Sequence, residues 1–280
     1  MYPPEFGYFI PASLTEALDF LDREDARPLA GGQSLIPMLK MRIISPKYLV
    51  DINRLVEISY IRDEVDKIRI GAITRYYDAL KNSSVQSKLP LLYSALRKIA
   101  DMQVRNLGTF GGSVSHADPA SDLPTVLLAY DAKIRVTSLS EERVVEAKNF
   151  FKGPFTTDLR RGELVKEIEI PVLSGYKMDY IKVVRRAGDY ALVGLACAVK
   201  LKDGYIEDIR LGYAAVDSKP YRPYEVEKKV IGNKLTPELI DEIAEKAASG
   251  ANPPSDVRGS SWYRREVMKI ITKKALRGVL

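Results

Sequence analysis

The chain has 280 residues, of which 46 % are hydrophobic and 29 % charged, a balance that is typical of globular proteins and argues against wholesale disorder. Its single cysteine excludes a disulfide framework, an internally ligated iron–sulfur cluster and a thiolate zinc site, and its single histidine excludes a multi-histidine metal cage. The formal net charge is +6, but basic and acidic residues alternate along the chain. A nucleic-acid-binding protein would need a concentrated basic face instead.

The sequence predicts a soluble, cytoplasmic protein. Residues 1–11 lack the basic segment and apolar run of a secretory signal, and no stretch approaches the roughly 20 apolar residues that span a bilayer. The densest basic segment, residues 264–277, has helical spacing around apolar residues. It is interpreted as the solvated face of an amphipathic last helix.

Short strands and helices alternate in the predicted first half of the chain. Ser13 and Glu16 form a capping box that starts a helix. Strands are expected at residues 27–30, 48–52, 57–61 and 67–72, and helical segments at 35–41, 74–81 and 89–100. Residues 101–122 are polar and contain glycines, which predicts a long loop before a helix at 123–129.

The pattern changes in the second half. Strands are expected at residues 132–137, 143–147 and 164–172, then three longer ones at 180–186, 191–201 and 206–216, followed by helices at 224–231, 237–249 and 261–277. Strands in succession indicate an antiparallel sheet. We therefore expect an α+β fold with an N-terminal domain at 1–175, in lobes of about 1–55 and 56–175, and a smaller sheet-and-helix domain at 176–280.

Two glycine motifs carry the chemistry that the sequence offers. The first is Ala30, Gly31, Gly32, Gln33, Ser34 and Leu35, and the second is Thr109, Phe110, Gly111, Gly112 and Ser113. Glycines allow backbone N–H groups to converge on a ligand oxygen, which favours a diphosphate. The alternative for either motif is an ordinary turn. The Rossmann and P-loop signatures are absent from the sequence, so a bound dinucleotide would need this different cradle.

A series of motifs along nearly the whole chain resembles the FAD-binding medium subunits of the molybdenum hydroxylase family. They are residues 30–35, 49–53, 71–74, 103–113, 118–124, 168–171, 185–191 and 256–264. That family includes carbon monoxide dehydrogenase, xanthine dehydrogenase and aldehyde oxidoreductases. The resemblance implies an FAD-binding domain of the two-lobed PCMH/VAO-like kind, followed by a C-terminal domain like that of the carbon monoxide dehydrogenase flavoprotein.

The resemblance also implies roles for individual residues. The two glycine motifs would hold the FAD diphosphate, Asp122 would contact the adenosine part, and Leu164 and Val165 would line the flavin pocket. Lys182 would lie near the flavin ring and Tyr190 against it. Asp122 could instead cap the helix at 123–129, and Tyr190 could be a tyrosine at a sheet edge.

The remaining candidate residues indicate no acid–base catalyst. His116 is expected to be a polar loop residue near the cofactor, because no partner acid and nucleophile can be identified for it. Phe110 replaces a more common aliphatic residue of the family and should change the packing behind the second motif. Cys197, between two alanines in a predicted strand, is expected to be a buried, inert thiol.

The resemblance implies an electron-transfer subunit of a heteromeric dehydrogenase, in which this chain carries only FAD. A large molybdopterin subunit and a small [2Fe–2S] subunit would complete a heterotrimer or its dimer, and an aldehyde or similar small molecule would be oxidised. Two alternatives remain at this stage: a self-contained flavin oxidase of the same superfamily, and a non-enzymatic basic binding module.

Overall fold

A small parallel sheet opens the fold in the computed structural model, which describes residues 2–280. Its strands are ordered β1-β3-β2, and two helices accompany it. The bounds are β1 Gly7–Phe9, α1 Leu14–Arg23, β2 Ala26–Leu29, α2 Leu35–Lys40 and β3 Tyr48–Asp51. The start of α1 is confirmed, because the Ser13 hydroxyl accepts a hydrogen bond from the Glu16 N–H at 3.2 Å. The Glu16 carboxylate accepts from the Ala12 N–H at 2.6 Å, one residue before the expected partner.

A five-stranded antiparallel sheet, ordered β4-β5-β10-β6-β7, forms the second lobe together with a short hairpin. The bounds are β4 Ile61–Asp63, β5 Lys67–Gly71, β6 Lys133–Thr137, β7 Glu142–Glu146, β8 Phe151–Gly153, β9 Thr156–Thr157 and β10 Leu164–Pro171. In the central strand, Ile168 and Ile170 are fully buried in the core. Glu167 and Glu169 alternate with them and pair with Arg135 at 2.8 and 2.5 Å on the other face.

The same part of the chain contains seven helices: α3 Tyr76–Lys81, α4 Ser83–Lys88, α5 Pro90–Lys98, α6 Met102–Leu107, α7 Phe110–His116, α8 Asp122–Ala129 and α9 Ala147–Phe150. The predicted long loop at 101–122 is wrong, because α6 and α7 occupy most of it. Asp101 and Thr109 cap these helices by accepting from the backbone N–H three residues later, at 2.8 and 3.1 Å. The strand expected at 57–61 is also wrong, since a 3₁₀ turn, Val56–Ile58, precedes β4.

The C-terminal part is an antiparallel sheet between two helical layers. Its bounds are β11 Lys177–Val183, β12 Val193–Lys202, β13 Tyr205–Ala214, α10 Tyr224–Val230, α11 Pro237–Ser249 and α12 Ser261–Arg277. Tyr180, Ala196 and Ala198 join the core formed with α5 and α8, while Leu195 and Cys197 join the core beneath α11 and α12. The expected α+β class and the buried Cys197 are confirmed. No helix in residues 2–280 is long and apolar enough to cross a membrane.

Candidate cofactor site

The first glycine motif connects β2 to α2 and leaves a row of backbone donors free. Gly32 has φ +70°, a conformation that glycine adopts without strain. Within residues 2–280, no backbone or side-chain group accepts a hydrogen bond from the N–H groups of residues 31–35. The Gln33 side chain instead donates to the Gly31 carbonyl at 3.0 Å. The motif therefore presents unpartnered N–H groups, as the sequence predicted.

The second motif forms the first turn of α7, and four of its five N–H groups, those of residues 110–113, donate within the protein. Those of Phe110 and Gly111 donate to backbone carbonyls at 3.2 and 2.7 Å, and that of Gly112 donates to the Thr109 hydroxyl. A Cβ on Gly111 would lie 2.6 Å from the Ala72 Cβ, so this glycine permits close packing of the helix on the end of β5. Gly112, by contrast, is exposed. This motif therefore offers a ligand the Gly112 surface and the half-buried Ser113, with no free N–H row.

The first motif packs directly against the residues that lead into the second motif. A Cβ on Gly31 would lie 2.0 Å from the Leu107 carbonyl oxygen, which shows how closely the first motif packs on the segment that leads into the second. Arg75 donates from its guanidinium to this same Leu107 oxygen and to Asn53 Oδ1. The Asn53 amide in turn donates to the Ala30 carbonyl at 3.0 Å. Sequence reasoning missed Arg75 and assigned Asn53 no role, because these contacts connect segments far apart in the chain.

Asp122 and Lys182, two predicted site residues, form a buried ion pair. Their side chains are 5 % and 4 % exposed, and Lys182 Nζ lies 2.8 Å from Asp122 Oδ2. The Tyr180 hydroxyl donates to the other carboxylate oxygen. Burial raises the pKa of the Asp122 carboxyl, and the Lys182 ammonium opposes that change. Asp122 is the first residue of α8, and its N-cap is Ser121, so the capping alternative for Asp122 is wrong.

Tyr190 lies in the connection between β11 and β12 and reaches the first motif. Burial raises its pKa, and the nearby Ser34 side chain opposes the change. The ring is 40 % exposed and lies outside the strands, so the sheet-edge alternative is wrong. Leu164 and Val165, at the start of β10, are only 6 % and 4 % exposed and pack within the core.

The aromatic neighbours of the second motif lie behind and beside it. Phe110 is fully buried and meets Tyr76 edge-on, with 5.4 Å between the ring centroids. His116 is the last residue of α7 rather than a loop residue, and its ring is 5.1 Å from that of Phe155. Burial lowers the pKa of His116, while nearby Asp118 raises it.

The residues present fit the diphosphate of FAD. The unpartnered N–H groups of residues 31–35 can donate to phosphate oxygens, and the exposed Gly112 leaves room for close approach. No set of three or more histidine, cysteine, aspartate or glutamate side chains in residues 2–280 could hold a metal ion. A cleft of about 710 Å³ beside Tyr176, Lys202 and Ile231 contains none of the predicted site residues.

The fold and this motif of unpartnered amides are typical of a protein that binds an anionic dinucleotide. Residues 4–173 match the family of the FAD binding domain in molybdopterin dehydrogenase, and residues 179–279 match the CO dehydrogenase flavoprotein C-terminal domain. The chain therefore belongs to the FAD-binding flavoprotein family of the molybdopterin dehydrogenases, and its cofactor is FAD.

Similar proteins cover the whole chain. The glyceraldehyde dehydrogenase medium chain of Sulfolobus acidocaldarius is 60 % identical over 280 residues, covering 100 % of both chains. A structure of carbon monoxide dehydrogenase from Hydrogenophaga pseudoflava superposes with a TM-score of 0.96 at 36 % identity, covering 99 % of this chain and 98 % of the other. Quinoline 2-oxidoreductase from Pseudomonas putida gives 0.94 at 33 % identity, with 99 % of each chain covered.

Proposed function

We propose that this chain is the FAD-carrying electron-transfer subunit of a heteromeric molybdenum-containing dehydrogenase. The row of unpartnered N–H groups at residues 31–35 carries the proposal, because N–H groups at the start of a helix that have no protein acceptor favour an anionic ligand. When bound, FAD would supply the redox chemistry, between [2Fe–2S] clusters of a small partner subunit and an external acceptor.

The first motif would bind the diphosphate through its backbone. Gly31 and Gly32 bring the N–H groups together, and the Gln33 side chain holds the Gly31 carbonyl away from the phosphates. Ala30 and Leu35 flank this arrangement, and Ser34 adds a hydroxyl. The second motif, from Thr109 to Ser113, would close the other side, with Gly112 as the point of closest approach.

The other predicted residues would shape the rest of the pocket. Asp122 and Lys182 are in contact, so they would face one part of FAD together, although the resemblance implied the adenosine part for Asp122 and the flavin ring for Lys182. Tyr190, which contacts Ser34, would lie against the flavin ring. Leu164 and Val165 would support the flavin pocket from the core side, as buried packing residues.

An aldehyde is the proposed substrate of the complex, and the large molybdopterin subunit would bind it. The support is the 60 % identity with a glyceraldehyde dehydrogenase medium chain that is covered completely. We further propose that the complex is a cytoplasmic heterotrimer or its dimer. The division of this chain into domains at 1–175 and 176–280, with lobes of about 1–55 and 56–175, is part of the same proposal.

Purification of the native complex with this chain tests the proposal. The expected result is about one FAD released per copy of this chain on denaturation, two further polypeptides, and molybdenum and iron in the preparation. Glyceraldehyde should reduce an artificial electron acceptor, whereas carbon monoxide should not. A preparation that contains this chain alone and oxidises a substrate without molybdenum would contradict it.

A further inference from the structure

A closed ring of contacts connects the two glycine motifs. The Leu107 carbonyl oxygen packs against Gly31, where even a methyl group has no space. The same oxygen accepts from one nitrogen of Arg75, and the other nitrogen donates to Asn53 Oδ1. Asn53 Nδ2 donates to the Ala30 carbonyl at 3.0 Å and so returns to the first motif. A change in the separation of the motifs must break at least one of these contacts.

Arg75 pairs with the second motif through its backbone and takes part in the ring of contacts through its side chain. Arg75 faces Thr109 in an antiparallel bridge. On either side of it, the Phe110 N–H donates to the Thr74 carbonyl at 3.2 Å and the Tyr76 N–H donates to the Gly108 carbonyl at 3.0 Å. One residue therefore holds the start of α7 with its main chain and reaches towards the first motif with its side chain.

The other half of the ring is equally well fixed. Asp51, the last residue of β3, accepts from the backbone N–H of Asn53 at 2.9 Å and from Nδ2 at 2.6 Å. Tyr8 in β1 donates to the same carboxylate. The orientation of the Asn53 amide is thus determined by the parallel sheet, and the Arg75 guanidinium is bonded to two neutral oxygens.

We propose that Arg75 is a positioning residue for the FAD diphosphate. Through Asn53 and Leu107 it fixes the two glycine motifs at one separation, so that the free N–H groups of residues 31–35 are oriented before the cofactor arrives. It also places a positive charge beside a cradle whose own residues include no lysine or arginine. This inference rests on the proposed diphosphate role of the motifs.

The test compares three variants of the full chain: Arg75→Met, Arg75→Lys and Arg62→Met. Arg62 is a matched control, because it is exposed in the same lobe and its guanidinium lies over the Tyr60 ring at 4.2 Å. The measured quantities are the FAD dissociation constant, from flavin fluorescence, and the urea unfolding midpoint of the flavin-free chain. Arg75→Met should weaken FAD binding by about 10-fold to about 100-fold, as expected for the loss of hydrogen bonds from a charged donor.

Arg75→Lys should recover part of the affinity, since an ammonium keeps the charge but lacks the two-pronged guanidinium geometry. Arg62→Met should bind FAD like the wild type. A double-mutant cycle with Asn53→Ala provides a further readout. If both residues act through one ring, the double variant should bind FAD no more weakly than the weaker single variant.

Three results would overturn the proposal: unchanged FAD affinity in a folded Arg75→Met variant, additive losses in the cycle, or a loss of affinity that only follows a loss of stability in the flavin-free chain. Should Arg75→Met fail to fold, the FAD dissociation constants of Asn53→Ala and Arg75→Lys decide the question. Both variants should bind FAD more weakly than the wild type, and unchanged affinity in both would refute the proposal. The wild type serves as the reference for the function itself. If it bound no FAD, the proposed function would fail, whereas strong binding in the wild type and in Arg75→Met alike would refute only this inference.

Discussion

Substitution of Gly31 by alanine perturbs the contact between the two motifs with a single methyl group. The added Cβ would lie 2.0 Å from the Leu107 carbonyl oxygen and 2.7 Å from its carbonyl carbon, both of them backbone atoms. An ordinary contact begins at 3.4 Å, so the two segments must separate by about 1.4 Å. Such a shift breaks the contacts of Arg75 and turns the N–H groups of residues 31–35 out of alignment.

The expected magnitude follows from two effects. Overpacking of this kind costs about 1–3 kcal/mol of folding free energy. FAD binding should also weaken by at least about tenfold, because loss of even one hydrogen bond to a charged phosphate removes about 1.5 kcal/mol or more. The assay is the flavin-to-polypeptide ratio after gel filtration, together with urea unfolding of the flavin-free protein.

Gly153→Ala is the matched control for this substitution. Gly153 lies in β8 and has no atom within 4 Å of the position that a Cβ would take. The Gly153→Ala variant should therefore keep the wild-type flavin-to-polypeptide ratio and the wild-type free energy of unfolding. A Gly31→Ala variant with stoichiometric flavin and the wild-type dissociation constant would refute the reasoning, because it would show that the spacing of the motifs does not control FAD binding.

Three further predictions concern buried ionisable groups. Asp122→Asn leaves Lys182 buried without its charged partner, so urea unfolding should show a loss of about 3 kcal/mol or more, and a loss below about 1 kcal/mol would argue against a buried pair. Burial raises the pKa of Glu227 to about 7, above its ordinary value of 4.5. Below pH 4.5, the contribution of Glu227 to the free energy of unfolding is fully present, and it is lost as the pH rises towards 7. The stability of Glu227→Gln relative to the wild type should therefore increase between pH 4.5 and 7. A constant difference in stability over this interval would contradict the raised pKa of Glu227. Burial raises the pKa of Cys197 to about 12, so a thiol reagent at pH 8 should modify it only after unfolding, and rapid modification of the native protein would show that the thiol is accessible.

Local signals in the sequence predicted many of the elements correctly. Thr236 accepts from the Leu239 N–H at 3.3 Å and Pro237 begins α11, as the cap and first-turn proline indicated. The succession of long predicted strands likewise indicated the antiparallel sheet that β12 and β13 form. These features depend on residues only a few positions apart, so the sequence displays them directly.

Elements that depend on distant packing were missed. The segment at 101–122 contains glycines that disfavour a helix in isolation, yet α7 forms because Thr109 caps it and Gly111 packs against Ala72, the residue that follows β5. The strand β1 was missed because it has only three residues and is stabilised by pairing with β3. Neither effect is visible within a short window of sequence.

In the candidate site, too, local features could be predicted from the sequence and contacts between distant residues could not. The first motif could be predicted because its glycines and helix start are contiguous. The link between Arg75 and Asn53 spans 22 residues, and that between Arg75 and the Leu107 carbonyl spans 32. The ion pair of Asp122 with Lys182 spans 60. Such contacts arise only when the lobes and the C-terminal sheet are assembled.

The central claim is that the backbone N–H groups of residues 31–35 bind the FAD diphosphate. A crystal structure of the chain loaded with FAD tests it most directly. The account predicts diphosphate oxygens within about 3.2 Å of several of these nitrogen atoms, with the Arg75 contacts to Asn53 and Leu107 intact. FAD bound with its diphosphate elsewhere, and these N–H groups still facing water, would contradict it.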